Sequence, residues 1–119
     1  MTCAQARDTA RRVLAEHQAP AALVADVLTV VSELVSNAIR HGEGLTGFHI
    51  TVSPGQVVVI EVSDRSTLRP RLRLADPHTP GGFGWRVVKT LAPTTFIRFH
   101  RGGKTIVATL PAHGRPSAP

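Results

Sequence analysis

Val31-Ser-Glu-Leu-Val-Ser-Asn-Ala-Ile-Arg-His-Gly42 is the stretch whose reading decides the fold. Val31, Leu34, Val35 and Ala38 recur at helical spacing, and the apolar stripe continues upstream through Leu23, Val27 and Val30. The spacing predicts a helix from about Ala21 to His41, with Gly42 as its stop signal. Beside the stripe, Glu33, Asn37 and His41 fall at i, i+4 and i+8, along one line of the helix surface. A carboxylate and a carboxamide one turn apart can serve a proton transfer and a Mg²⁺ ion. Carboxamide oxygen is a hard ligand, and Mg²⁺ accepts one or two protein ligands together with phosphates. A polar flank that merely solvates a helix has the same spacing, so the pair needs support from elsewhere in the chain.

Working outward, residues 4 to 17 read as a first helix, with Ala6, Ala10, Val13 and Leu14 on one face and Gln18-Ala19-Pro20 ending it. From Phe48 the period changes to two. Phe48 to Val52 and Val57 to Ser63 form a hairpin around Pro54-Gly55-Gln56. Residues 65 to 82 have no period, four Arg and three Pro, an unusually long loop for so small a domain. Gly84 to Leu91 suits a short helix. Thr94 to Arg101 and Lys104 to Leu110 read as strands joined by Gly102-Gly103. The order ααββ, loop, αββ predicts an α+β two-layer sandwich, with helices on one face of a mixed, largely antiparallel sheet. Adjacent and interleaved strand orders both satisfy it. One domain, 2–110, accounts for the pattern, and the Pro- and Ala-rich segment 111–119 reads as a disordered tail.

The chain has 119 residues, 42% hydrophobic and 18% charged, which excludes a wholly disordered or fibrous class. No uninterrupted apolar run approaches the roughly 20 residues of a membrane span, and the start lacks the apolar core of a signal peptide. The single Cys3 cannot form an internal disulfide. These features predict a cytoplasmic protein with no membrane association. The net charge of +6 is uneven. Residues 1 to 63 carry four Arg and six acids, whereas residues 64 to 104 carry nine basic residues against Asp64 and Asp76. Nucleic acid, nucleotide phosphate or an acidic protein surface would each match the basic half. With four Phe, one Trp and no Tyr, and no recognition helix or stacking motif, nucleic acid is the weakest of the three.

Two further constellations carry chemistry. Asp64 ends the second strand, where a buried carboxylate could accept a hydrogen bond from an amino group such as that of adenine; a turn-forming Asp is the plainer alternative. Pro80-Gly81-Gly82-Phe83-Gly84 precedes the short helix, where glycines let backbone N–H groups approach an anion at a helix N-terminus. Gly82-x-Gly84 lacks the third glycine of a dinucleotide fingerprint and the Gly-Lys-Ser/Thr of a P-loop.

In this order, helix Glu-x-x-x-Asn, strand-end Asp, long loop, Gly-x-Gly before a helix and a Gly-Gly-Lys-Thr hairpin, the sequence resembles the Bergerat-fold (histidine-kinase-like) ATPases across about residues 4 to 110. The stretch Val31–Gly42 is similar to the N-box of the small anti-sigma-factor serine kinase branch. That resemblance implies ATP and Mg²⁺ as cofactors, Glu33 as general base and Asn37 as Mg²⁺ ligand. It implies Asp64 on the adenine amino group, Gly82 and Gly84 as the second glycine box, and Thr105 as a hydroxyl backing the adenine. Arg40 and His41 would face the phosphates, and the loop 65 to 82 would be the ATP lid. The implied activity is phosphoryl transfer to a protein serine, with an anti-sigma-factor antagonist or a sigma factor as partner and a homodimer left open.

The sequence departs from that pattern in three places. Asp64-Arg65-Ser66-Thr67-Leu68 stands where the family often has Asp-x-Gly-x-Gly, Trp85 stands where Leu is more usual, and only Met1 to Ala4 precede the first helix where relatives have an edge strand. The missing glycines keep a second function in view, an ATP-sensitive interaction switch without kinase chemistry.

Overall fold

A computed structural model describes residues 1–68 and 84–111 of the chain. Its elements are α1 (Cys3–Glu16), α2 (Ala21–His41), β1 (Leu45–Val52), β2 (Val58–Asp64), α3 (Gly84–Leu91), β3 (Thr94–His100) and β4 (Gly103–Leu110). All but the first residue of the expected tail 111–119, and most of the expected lid, including Gly82, lie outside the described residues.

Helix α1 begins at a reciprocal cap. Thr2 Oγ1 accepts from the Gln5 amide at 3.1 Å, and Gln5 Oε1 accepts from the Thr2 amide at 2.8 Å, so two otherwise orphaned donors are satisfied. Among the described residues no strand precedes it. Helix α2 is long and apolar enough, by length and composition alone, to cross a membrane. Here its stripe of Leu23, Val27, Val30, Val31, Leu34, Val35 and Ala38 is the centre of the core. Helix α1 meets β1, α2 lies over β2, and α3 joins α2 to β3.

The sheet order is β1-β2-β4-β3, and every pairing is antiparallel. The chain's last strand therefore inserts between β2 and β3, an interleaved arrangement that local patterning does not encode. Val58, Ile60 and Val62 of β2 point to the helices and are fully buried. So do Ile106, Ala108 and Leu110 of β4, which follow the same alternation. Two boundaries shift from expectation. Strand β1 starts at Leu45, with an irregularity between Leu45 and Gly47, and the β3–β4 turn is Arg101-Gly102, leaving Gly103 as the first residue of β4.

Since Leu34 is 1% exposed in the centre of the core, Leu34→Ala should destabilise the protein by about 2–5 kcal/mol in urea unfolding. Ile39→Ala, at a side chain 47% exposed on the same helix, should stay within about 0.5 kcal/mol of the parent. Equal effects at the two positions would contradict this placement of the helix.

Candidate functional site

At one end of the sheet, the last residue of β2 meets the first residues of β4 and the end of α2. Asp64 is 1% exposed there. Its Oδ1 accepts from the Ser66 amide and from Lys104 Nζ, both at 2.9 Å. The first contact is an Asx-type turn, so the plainer reading of Asp64 holds as well. The second is a buried ion pair, with the Lys104 side chain 3% exposed. Asp64 Oδ2 is buried with no hydrogen-bond partner among the described residues. A carboxylate costs free energy to desolvate unless its charge and lone pairs are met, and this one is met on only one oxygen.

Two glycines make room for it. A Cβ on Gly42 would lie 2.5 Å from Asp64 Cγ and Oδ2. A Cβ on Gly103 would overlap the Asp64 carbonyl oxygen. Gly42 thus does more than stop the helix. Its φ of −97° is open to any residue, and the turn into β1 is made by Glu43 and Gly44, with φ of 60° and 114°. What position 42 requires is the absence of a side chain. The Arg65 amide then donates to Gly42 O at 2.9 Å, tying the start of the loop to the end of α2.

Upstream on α2, the half-buried Glu33 lies against the buried Gly84, the first residue of α3. A Cβ at Gly84 would overlap Glu33 Oε2 and lie 2.8 Å from Cδ. The acid and the glycine, 51 positions apart in sequence, are brought together because α2 and α3 pack side by side. Asn37 is half-buried one turn further along, and Arg40 and His41 are exposed on the last turn. Glu33 and Gly42 are separated by nine residues of helix, roughly 13 Å at 1.5 Å per residue. An extended triphosphate could run along that length between a base at Asp64 and a reacting phosphate at Glu33.

Thr105 is placed differently from expectation. Alternation along β4 turns it to the sheet face away from the helices, opposite Ser63, where its hydroxyl bonds Ser63 Oγ at 2.7 Å and His100 Nε2 at 3.0 Å. The residue that reaches Asp64 is its neighbour Lys104, which sequence reasoning missed. Its signal was available: Lys104 has the same strand parity as Ile106, Ala108 and Leu110, and a lysine in an inward position needs a carboxylate. Part of the basic excess is also used within the chain, since Lys104 pairs with Asp64 and Arg98 reaches Glu61 at 3.5 Å on the outer face.

Helices cover one face of an antiparallel sheet, with Glu33 of α2 against Gly84 and the enclosed carboxylate of Asp64 beside the end of the same helix, an α+β two-layer sandwich in class. The chain belongs to the histidine kinase-like ATPase domain family, whose model matches residues 2–110. No curated protein matches it.

The ion pair makes a stability prediction. Lys104→Met alone strands a buried carboxylate and should cost about 3–5 kcal/mol, whereas Asp64→Asn combined with Lys104→Met should recover most of that loss. Additive losses in the double variant, measured by urea unfolding, would contradict the pairing.

Proposed function

We propose that this protein is an ATP-binding regulator of the anti-sigma-factor kinase type, acting in the cytoplasm by phosphorylating or sequestering a protein partner in transcriptional control. The observation that carries the reading is the orphaned, buried Asp64 Oδ2. It is an acceptor in want of a donor at the strand end where the resemblance puts the adenine amino group. At the other contact, the absence of a Cβ on Gly84 lets the Glu33 carboxylate lie directly against the start of α3.

A bound Mg²⁺ would supply neutralisation of the charge that develops in phosphoryl transfer. Asn37 would hold that ion through its carboxamide oxygen. Glu33, against the N-terminal residue of α3, would accept the proton of a partner's serine hydroxyl as its oxygen bonds the γ-phosphorus and the bond to the ADP leaving group breaks. Arg40 and His41, exposed beyond Asn37, would meet the phosphates or the partner. The partner itself is an anti-sigma-factor antagonist or a sigma factor, with acidic surface to face the basic half of the chain.

A specific observation also favours the switch reading, in which nucleotide binding alters partner affinity without transfer. Arg65 occupies the first position after Asp64, and its guanidinium stands where a Cβ on Gly44 would be, 2.5 Å from Nη1. Ser66 and Leu68 then stand at the two positions where relatives often have glycine, and the Ser66 amide is tied to Asp64 Oδ1 at 2.9 Å.

Titration with ATP, followed by the fluorescence of Trp85, separates these readings. Binding should be saturable and Mg²⁺-dependent, and Asn37→Ala and Asp64→Asn should each weaken it by about ten-fold or more. Calorimetry covers a silent fluorophore, and absence of binding at millimolar ATP by both methods would overturn the ATP reading. Glu33→Ala should keep ATP and lose phosphoryl transfer to a co-purified partner. Unchanged transfer would remove Glu33 as the base, and ATP-dependent partner binding with no transfer in the parent would establish the switch.

A further inference from the structure

Asp64 and Lys104 leave complementary capacity unspent at the same place. Asp64 Oδ2 accepts nothing among the described residues although it is buried. Lys104 Nζ has three N–H donors. One is given to Asp64 Oδ1 at 2.9 Å, and a second contact, to the Ser66 carbonyl, is stretched to 3.5 Å. A buried ion pair is worth its desolvation only when the remaining lone pairs and protons are also met. This pair offers an acceptor and a donor side by side, and the ligand that completes it carries a donor next to an acceptor.

Leu45, Asp64, Lys104 and Phe99 are directly paired across β1, β2, β4 and β3, so they form one row on the helix-facing side at this end of the sheet. The polar pair is central, and an apolar side chain stands at either flank, with Phe99 43% exposed.

We propose that Lys104 is a base-reading residue. Together with Asp64 Oδ2 it recognises an amino group adjacent to an unprotonated ring nitrogen, which in a purine is the N6–N1 edge of adenine. Asp64 accepts from the amino group, and Lys104 donates to the ring nitrogen. The inference rests on reading this corner as an ATP site and adds to it a residue that sets base specificity. Guanine reverses the pattern at this edge: its carbonyl would face the carboxylate, and its ring N–H would face the ammonium. Rejection follows from two mismatched buried polar groups rather than from size.

The test compares four nucleotides by calorimetry on the intact protein: ATP, GTP, 1-deaza-ATP, which has C–H in place of N1, and purine riboside triphosphate, which lacks the amino group. Each of the last three should bind about ten-fold or more weakly than ATP. In Lys104→Met the 1-deaza penalty should disappear while the penalty for losing the amino group remains. If 1-deaza-ATP binds the parent as tightly as ATP, Lys104 does not read the base, and the ATP site stands without it. If ATP itself fails to bind, the ATP reading falls and this inference with it. Should Lys104→Met not fold, the comparison of analogues on the parent protein decides.

Discussion

The enclosed carboxylate of Asp64 constrains every element around it. It sits, 1% exposed, at the end of a strand whose other inward residues are aliphatic. Its position dictates a lysine on the adjacent strand, a backbone N–H two residues downstream and a glycine at the end of α2, while the backbone carbonyl of Asp64 requires a second glycine at the start of β4. Gly42 brings the end of α2 to it, and Gly103 brings the start of β4 to it. The same corner fixes where the long loop departs, because Arg65 and Ser66 are tied to Gly42 and Asp64 by their backbone amides.

A second close approach organises the middle of α2. Gly84 begins α3 against the Glu33 side chain, so the acid is positioned by a helix contact rather than by a strand. The two contacts are linked by the C-terminal part of the helix, which keeps its register through a fully buried stripe. Core packing and site geometry are therefore one problem here. The residues that bury the helix also set the distance between the acid and the strand-end carboxylate.

Much of this was legible in the sequence, for identifiable reasons. The stripe from Leu23 to Ala38 has the helical period over more than four turns, and β2 alternates cleanly, so element type and the two-layer packing follow from local periodicity. Glu33, Asn37 and Asp64 could be singled out because chemistry and spacing coincide. The insertion of β4 between β2 and β3 could not be read, since strand order is a non-local property to which no local pattern corresponds. Thr105 was singled out by resemblance, although its parity puts it on the outer face with Ser63. Lys104 went unnoticed although its parity put it inside. Gly42 was read as a stop signal, while its structural reason is a neighbour 22 positions away.

The central claim is that nucleotide occupies the corner between Gly42, Asp64 and Lys104 and extends along α2 to Glu33 and Gly84. Amide and indole chemical shifts in a ¹H–¹⁵N spectrum, recorded as ATP and Mg²⁺ are added, test it most directly. The account predicts that the largest changes fall on Gly42, Arg65, Ser66, Gly84 and the Trp85 indole, with Ala6 and Ala10 of α1 unmoved. Changes confined to the outer sheet face around Phe96 and Arg98, or no changes at all, would contradict it.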